Sequence, residues 1–220
     1  MRFPVKRVGA WDFAECVYAQ TRADVAPLRK WSDCISTDGN PLKFDAAEYG
    51  DLAQQRWIES LEKGRVAKSL DEVRIFKKDN PHSEVRVLLL ARAAWFRSGV
   101  PMGLCLLRRT WCNNLCLEYL AAHPLATDDH ISGIGSGLLY EAICFARSLR
   151  VRDLWGEATA LSRGFYENVF DLAEVRDLFC ASKRRRLYFQ NQCDRKWEEV
   201  AIRARRLPGD LKCPPNVPKT

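Results

Sequence analysis

Three glycines at alternate positions, Gly133, Gly135 and Gly137, mark the segment LEYLAAHPLATDDHISGIGSGLL, which runs from Leu117 to Leu139. They join a predicted strand to a predicted helix. Glycine tolerates positive φ and leaves no Cβ in the way. Successive backbone N–H groups in such a loop can point at one anion, and the following helix adds its positive end. The chemistry this suits is a phosphate or pyrophosphate cradle. A flexible loop before a helix is the plainer alternative. A dinucleotide fingerprint fits poorly. It needs a tight turn after the first strand and an acid closing the second. Here the loop from Pro124 to Gly133 is long, and Asp153, twenty residues after Gly133, opens the next predicted strand.

The elements around the loop follow from pattern. Residues 3–8 read as a short strand, and Trp11 to about Lys30 as a helix with a break at Pro27. Gly39-Asn40-Pro41 marks a turn. Phe44 to about Lys63 reads as a second helix and Ser69 to Lys77 as a short third. Val85–Phe96, Met102–Cys112 and Leu115–Ala122 read as three strands with short turns, an antiparallel meander. Ser136–Leu149 reads as a helix, with Leu138, Leu139, Ala142, Ile143, Phe145, Ala146 and Leu149 on one apolar face. Asp153–Ala158 reads as a strand, Leu161 to about Val169 as a helix, and Leu178–Ala181 and Arg186–Gln190 as strands. Trp197–Arg206 reads as a terminal helix, and four prolines from Pro208 onward predict an extended tail.

On these residues the chain resembles the GNAT N-acetyltransferase superfamily. Leu120-Ala121-Ala122-His123-Pro124, His130-Ile131-Ser132-Gly133-Ile134-Gly135 and Ser136-Gly137-Leu138-Leu139 resemble its acetyl-CoA motif. There, a strand ending Leu-x-Val-x-Pro leads to (Gln/Arg)-x-x-Gly-x-(Gly/Ala) and a helix. His130 stands where the family has Gln or Arg. Leu154-Trp155-Gly156-Glu157-Ala158 resembles the family's fifth strand, and Phe165-Tyr166-Glu167-Asn168-Val169-Phe170 its Phe-Tyr-Glu-Lys-Leu-Gly-Phe segment. The resemblance spans roughly Val85 to Gln190.

It implies an α+β fold of the GNAT type, a mixed and mostly antiparallel central sheet flanked by helices, with a C-terminal extension. The corresponding division is a GNAT domain over 1–190 and a helix with a proline-rich tail over 191–220. It also implies acetyl-CoA as co-substrate and direct transfer to a primary amine. The loop amides of His130, Ile131, Ser132, Gly133, Ile134, Gly135 and Ser136 would hold the pyrophosphate. The backbone of Leu120, Ala121 and Ala122 would pair with the pantetheine arm. Tyr166 matches the tyrosine that protonates the departing sulfur. Glu118, two residues before Leu120 and so expected on the same strand face, could deprotonate the amine directly or through water. An ion-paired strand residue is its competing role.

The chain has 220 residues, 35 Lys and Arg against 28 Asp and Glu, and a formal net charge of +7. With 47% hydrophobic residues, that excludes a chain disordered throughout and suits one sizeable core. A basic surface suits a phosphate-bearing ligand, nucleic acid or an acidic partner without choosing among them. The run Lys183-Arg184-Arg185-Arg186 reads as a solvated turn, or as a contact to a CoA phosphate or an acidic substrate. The apolar stretch Val87–Phe96 is too short to cross a bilayer and is broken by Arg92. No secretory pattern opens the chain, so a cytoplasmic protein is expected. Nine scattered cysteines predict buried or incidental thiols and no metal site. The acceptor is not readable: a small amine, an amino acid or a protein amine all fit. The alternatives are a non-catalytic acyl-CoA-binding domain, or an acetyltransferase acting on charged tRNA, which the net charge allows although no RNA-binding signature is present. The oligomeric state is open, a homodimer included, and the extension after Gln190 could cover the acceptor groove, pack against a second subunit or do neither.

Overall fold

The computed structural model describes residues 1–35 and 40–206. Gly39 of the predicted turn and the predicted tail beyond residue 206 lie outside the described residues. The chain opens with a hairpin of β1 (Arg2–Arg7) and β2 (Ala10–Tyr18). The two residues between them, Val8 and Gly9, have φ of 46° and 82°. Two positive values are what a two-residue hairpin of matching twist requires. The helix predicted from Trp11 to Lys30 is therefore replaced, over its first half, by a strand. Ala14 and Cys16 alternate into the core, as a half-buried strand demands. Helical backbone begins only at α1 (Arg22–Val25) and continues as 3-10 turns over Ala26–Cys34. The β-branched Val8 disguised the turn, because such residues rarely adopt positive φ.

α2 (Pro41–Glu62) begins where Asn40 accepts from the Leu42 amide at 3.1 Å, with proline in the first position. α3 (Leu70–Asp79) is capped by Ser69, which accepts from the Glu72 amide at 3.1 Å. The predicted meander follows as β3 (Val85–Arg92), β4 (Gly103–Arg109) and β5 (Leu115–Ala122). The loop after β5 contains β6 (Ile131–Ser132), a short strand that pairs with β1. Then come α4 (Ile134–Ser148), β7 (Leu154–Glu157), α5 (Arg163–Phe170), β8 (Leu178–Ala181) and α6 (Lys183–Arg206).

The strand predicted at Arg186–Gln190 is the opening of α6, which runs through residue 190 without a break. Phe189, Cys193 and Val200 are buried at helical spacing. Arg186 is also buried and donates to the carbonyls of Ala181, Val151 and Arg152 at 3.1–3.2 Å.

Among the described residues the strands make one eight-stranded sheet in the order β6-β1-β2-β3-β4-β5-β7-β8. Every pair is antiparallel except β5 with β7. Helices cover both faces, which explains the near-continuous apolar run of β3. Val87, Leu89, Cys105 and Leu107 join the core under α4. Leu88, Leu90, Leu104 and Leu106 join a second core with Trp31 and Trp57, under the 3-10 segment and α2. This is the α+β architecture expected from the resemblance, a mixed and mostly antiparallel sheet flanked by helices.

Candidate functional site

The site forms where two parallel strands part. β5 pairs with β7 through Leu115–Leu154, Cys116–Trp155 and Leu117–Gly156, and no further. β5 then continues to Ala122 on its β4 partner alone, while β7 ends at Glu157. The outer backbone edge of Leu120, Ala121 and Ala122 is left open. Gly156 is needed at the parting point, because a Cβ there would lie 2.7 Å from the Leu117 carbonyl oxygen. The opening holds a cavity of about 330 Å³ whose walls include Tyr49, Glu118, Tyr119, Leu120, Glu157 and Tyr166. A larger groove of about 600 Å³ lies between α2 and the 3-10 segment, but neither the glycine loop nor Tyr166 borders it.

The glycine loop opens α4 and does not line this cavity; Gly135 stands against Phe165, the neighbour of Tyr166. Gly133 is the N-cap of α4 with φ of 93°, in the left-handed region, and supplies no side-chain cap. The Gly137 amide, bonded to the Gly133 carbonyl at 2.9 Å, closes the first helical turn. The amides of Ile134, Gly135 and Ser136 precede it and have no acceptor within the helix. No acidic residue occupies that turn, so the positive helix end is not neutralised from within. The three glycines do different work. Gly137 has no room for a Cβ, which would run into the Phe3 ring. At Gly135 a Cβ would meet only Phe165 of α5, at 3.8 Å. Ile131 and Ser132 are tied to Arg7 and Lys6 of β1. His130 is exposed with φ of 52°.

Tyr166 lies on the wall of the cavity with its ring 4% exposed. It stacks on Phe179 at 4.0 Å and tilts against Phe165 at 5.2 Å. Burial pushes its phenol pKa up, reinforced by Cys105 and Tyr49. The phenol is therefore held in its protonated form, as a proton donor requires. The helix that carries it starts from a reciprocal turn, in which the Thr159 amide donates to Ser162 Oγ at 2.9 Å and the Ser162 amide to Thr159 Oγ1 at 3.3 Å.

Glu118 departs from expectation. A β-bulge falls between Leu106 and Leu107 of β4, which face Tyr119 and Leu117 of β5. Glu118 is the extra residue. A bulge breaks the alternation of side chains. Glu118 consequently shares the α2 side with Tyr119, while Leu120 packs into the core under α4. The two are not on one face. The Glu118 carboxylate is also occupied. It accepts from Arg86 Nε and Nη2 at 2.7 and 3.1 Å and from Arg108 Nε at 2.7 Å. Arg56 stands at 3.7 Å. Burial alone would raise its pKa, but the hydrogen bonds and charge of Arg86, with those of Arg108, reverse this and hold it low. A carboxylate so held is a weak proton acceptor.

His123 is buried between Trp31 and Phe96, with ring centroids at 5.2 and 5.3 Å. Its Nδ1 accepts from the Leu125 amide at 3.2 Å. Burial, aided by Arg97, pulls its pKa down to about 4. It is a neutral capping residue. Tyr49, Tyr119 and the three arginines around Glu118 had no local signal in the sequence. They meet through strand register and the packing of α2. Among the described residues no group of His, Cys, Asp and Glu is placed to hold a metal ion, and no helix is long and apolar enough to cross a membrane.

No family model and no curated protein matches the chain. Solved structures do. A putative GNAT-family acetyltransferase from Desulfovibrio desulfuricans shares 13% identity at a TM-score of 0.47, over 77% of this chain and 98% of its own. A GNAT-family acetyltransferase from Staphylococcus aureus Mu50 shares 12% at 0.42, over 77% and 98%. An acetyltransferase from Bacillus cereus shares 15% at 0.35, over 58% and 88%. The likeness is one of fold.

Proposed function

We propose that this chain is an acetyl-CoA-dependent N-acetyltransferase that acetylates a primary amine by direct attack. One observation carries the reading. The β5–β7 opening joins the open edge of β5 to a cavity walled by buried Tyr166, and Gly135, at the start of α4, stands against Phe165, the neighbour of that tyrosine. The residues present fit the co-substrate. The amides of Ile134, Gly135 and Ser136 hold the pyrophosphate, and the loop from His130 to Gly133 shapes its approach. The open edge of Leu120, Ala121 and Ala122 pairs with the pantetheine amides. The bound thioester supplies an activated acetyl group.

The chain's own residues then move two protons. Tyr166, kept protonated by burial, donates to the departing sulfur as negative charge builds there. The amine must first lose a proton. Glu118 lines the cleft, but Arg86 and Arg108 occupy its oxygens. We assign proton removal to Glu157, which lines the same cleft, is exposed and makes no ion pair among the described residues. Glu118 then fixes the arginines and the bulge of β5.

The test is Tyr166→Phe. Turnover with a primary amine should fall about a hundredfold, while acetyl-CoA affinity stays within threefold. A parallel loss of affinity would place Tyr166 in binding instead. Glu157→Gln should lower turnover about a hundredfold while leaving acetyl-CoA affinity intact. Unchanged turnover would return the proton step to Glu118 or to water.

A further inference from the structure

At the closed end of the β5–β7 pair, three segments converge. In the β4–β5 turn, Asn113 donates to the Arg150 carbonyl at 3.4 Å. From the start of α6, buried Arg186 donates to the carbonyls of Val151 and Arg152. Main-chain acceptors thus hold residues 110–114, 150–153 and 182–186 together. What they present outward is uniform. Trp111 is 64% exposed at the hairpin tip. Arg150, Arg152, Lys183 and Arg184 are all exposed. The one acid within these segments, Asp153, pairs with Arg152 at 2.8 Å.

Among the described residues Arg150, Lys183 and Arg184 have no carboxylate partner, and Arg152 has only Asp153. Moreover, Lys183 to Arg186 crowd the N-terminal turn of a 24-residue helix that has no acid there. Cations at the positive end of a helix dipole are destabilising. An anion would relieve both defects.

We propose that this surface binds single-stranded nucleic acid, with Arg150, Arg152, Lys183 and Arg184 along the phosphates and Trp111 stacked on a base. The exposed indole selects this partner over an acidic peptide. Base faces use an aromatic platform, and a carboxylate chain uses only the charges.

The test is fluorescence anisotropy of the full chain with labelled 20-mers of oligo-uridine and oligo-deoxythymidine at 50 and 200 mM KCl. A 20-residue polyglutamate serves as the control. Binding of either oligonucleotide is expected, with a log–log salt slope of about −3 for four phosphate contacts. The tighter of the two names the sugar. Arg150→Glu with Arg152→Glu, and separately Lys183→Glu with Arg184→Glu, should each weaken binding at least tenfold. Trp111→Ala should weaken it about tenfold while leaving the slope unchanged. Thermal melts confirm that each variant is folded. Lack of oligonucleotide binding at 50 mM KCl, polyglutamate binding as tightly, or unaltered affinity in Trp111→Ala would each overturn the proposal. None of these readouts needs acetyl-CoA, so they stand or fall apart from the transferase reading.

Discussion

The two faces of the sheet each bury one glutamate, and the two are treated in opposite ways. On the α2 face, Glu118 has a side chain 4% exposed and takes hydrogen bonds from Arg86 and Arg108. Its pKa is held down despite burial. On the α4 face, Glu141 is also 4% exposed, yet its Oε2 has no hydrogen-bond partner among the described residues. Burial pushes its pKa up to about 7, with only the N-terminal ammonium opposing. Burial with partners and burial without them shift the two pKa values in opposite directions. The α2 face spends its buried charge on shaping a cleft. The α4 face carries an acid that its surroundings do not support.

Removing the partnered acid should have the largest effect. Glu118→Ala leaves the partly buried Arg86 without a carboxylate partner and Arg108 with Glu84 alone, which costs about 3 kcal/mol. For a chain of this size the melting temperature should fall by about 10 °C. A fall of under 3 °C by calorimetry would mean that the arginines rearrange freely and that the network does not hold β5. The pH dependence has a definite sign. Glu118, with its lowered pKa, stabilises above pH 4.5 and loses that contribution as pH falls through its folded value.

Removing the unpartnered acid should do the reverse. The folded pKa of Glu141 lies above its unfolded 4.5, so its penalty is absent below pH 4.5 and grows until pH passes about 7. Glu141→Gln should therefore be more stable than the parent at pH 8, by about 2 kcal/mol, and close to it at pH 4. Urea titrations at both pH values read this directly. Equal gains at both would assign the effect to packing rather than charge. Cys16 and Tyr18 on β2 feel the Glu141 charge, and their pKa values, both near 12, should fall in the variant.

A smaller comparison lies within α4. Gly137→Ala drives a methyl group into the Phe3 ring and should cost about 1–3 kcal/mol. Gly135→Ala meets only Phe165 at 3.8 Å and should change stability by about 0.5 kcal/mol or less. If both alanine variants melt alike, the separation of packing glycine from loop glycine is wrong.

The sequence carried the fold where one residue pattern had one reading. β5 and β8 lie where alternation and turns put them, and α4 follows its apolar stripe. It misled where a local signal was masked. Val8 hid the β1–β2 turn. Leu187 and Phe189 alternate like a strand, but Arg186 turns inward to three carbonyls and commits the segment to a helix. The glycine loop was legible because backbone chemistry is written in glycine positions. The state of Glu118 was not, because it depends on a bulge and on two arginines from neighbouring strands. Such contacts are set by register, which one strand's sequence does not encode.

If the β5–β7 cleft and the start of α4 hold acetyl-CoA as proposed, calorimetric titration of the full chain should show one-to-one binding of acetyl-CoA, loss of that binding in Gly135→Leu, and no heat with NADH. Absence of acetyl-CoA binding, or NADH binding of equal strength, would contradict the proposal.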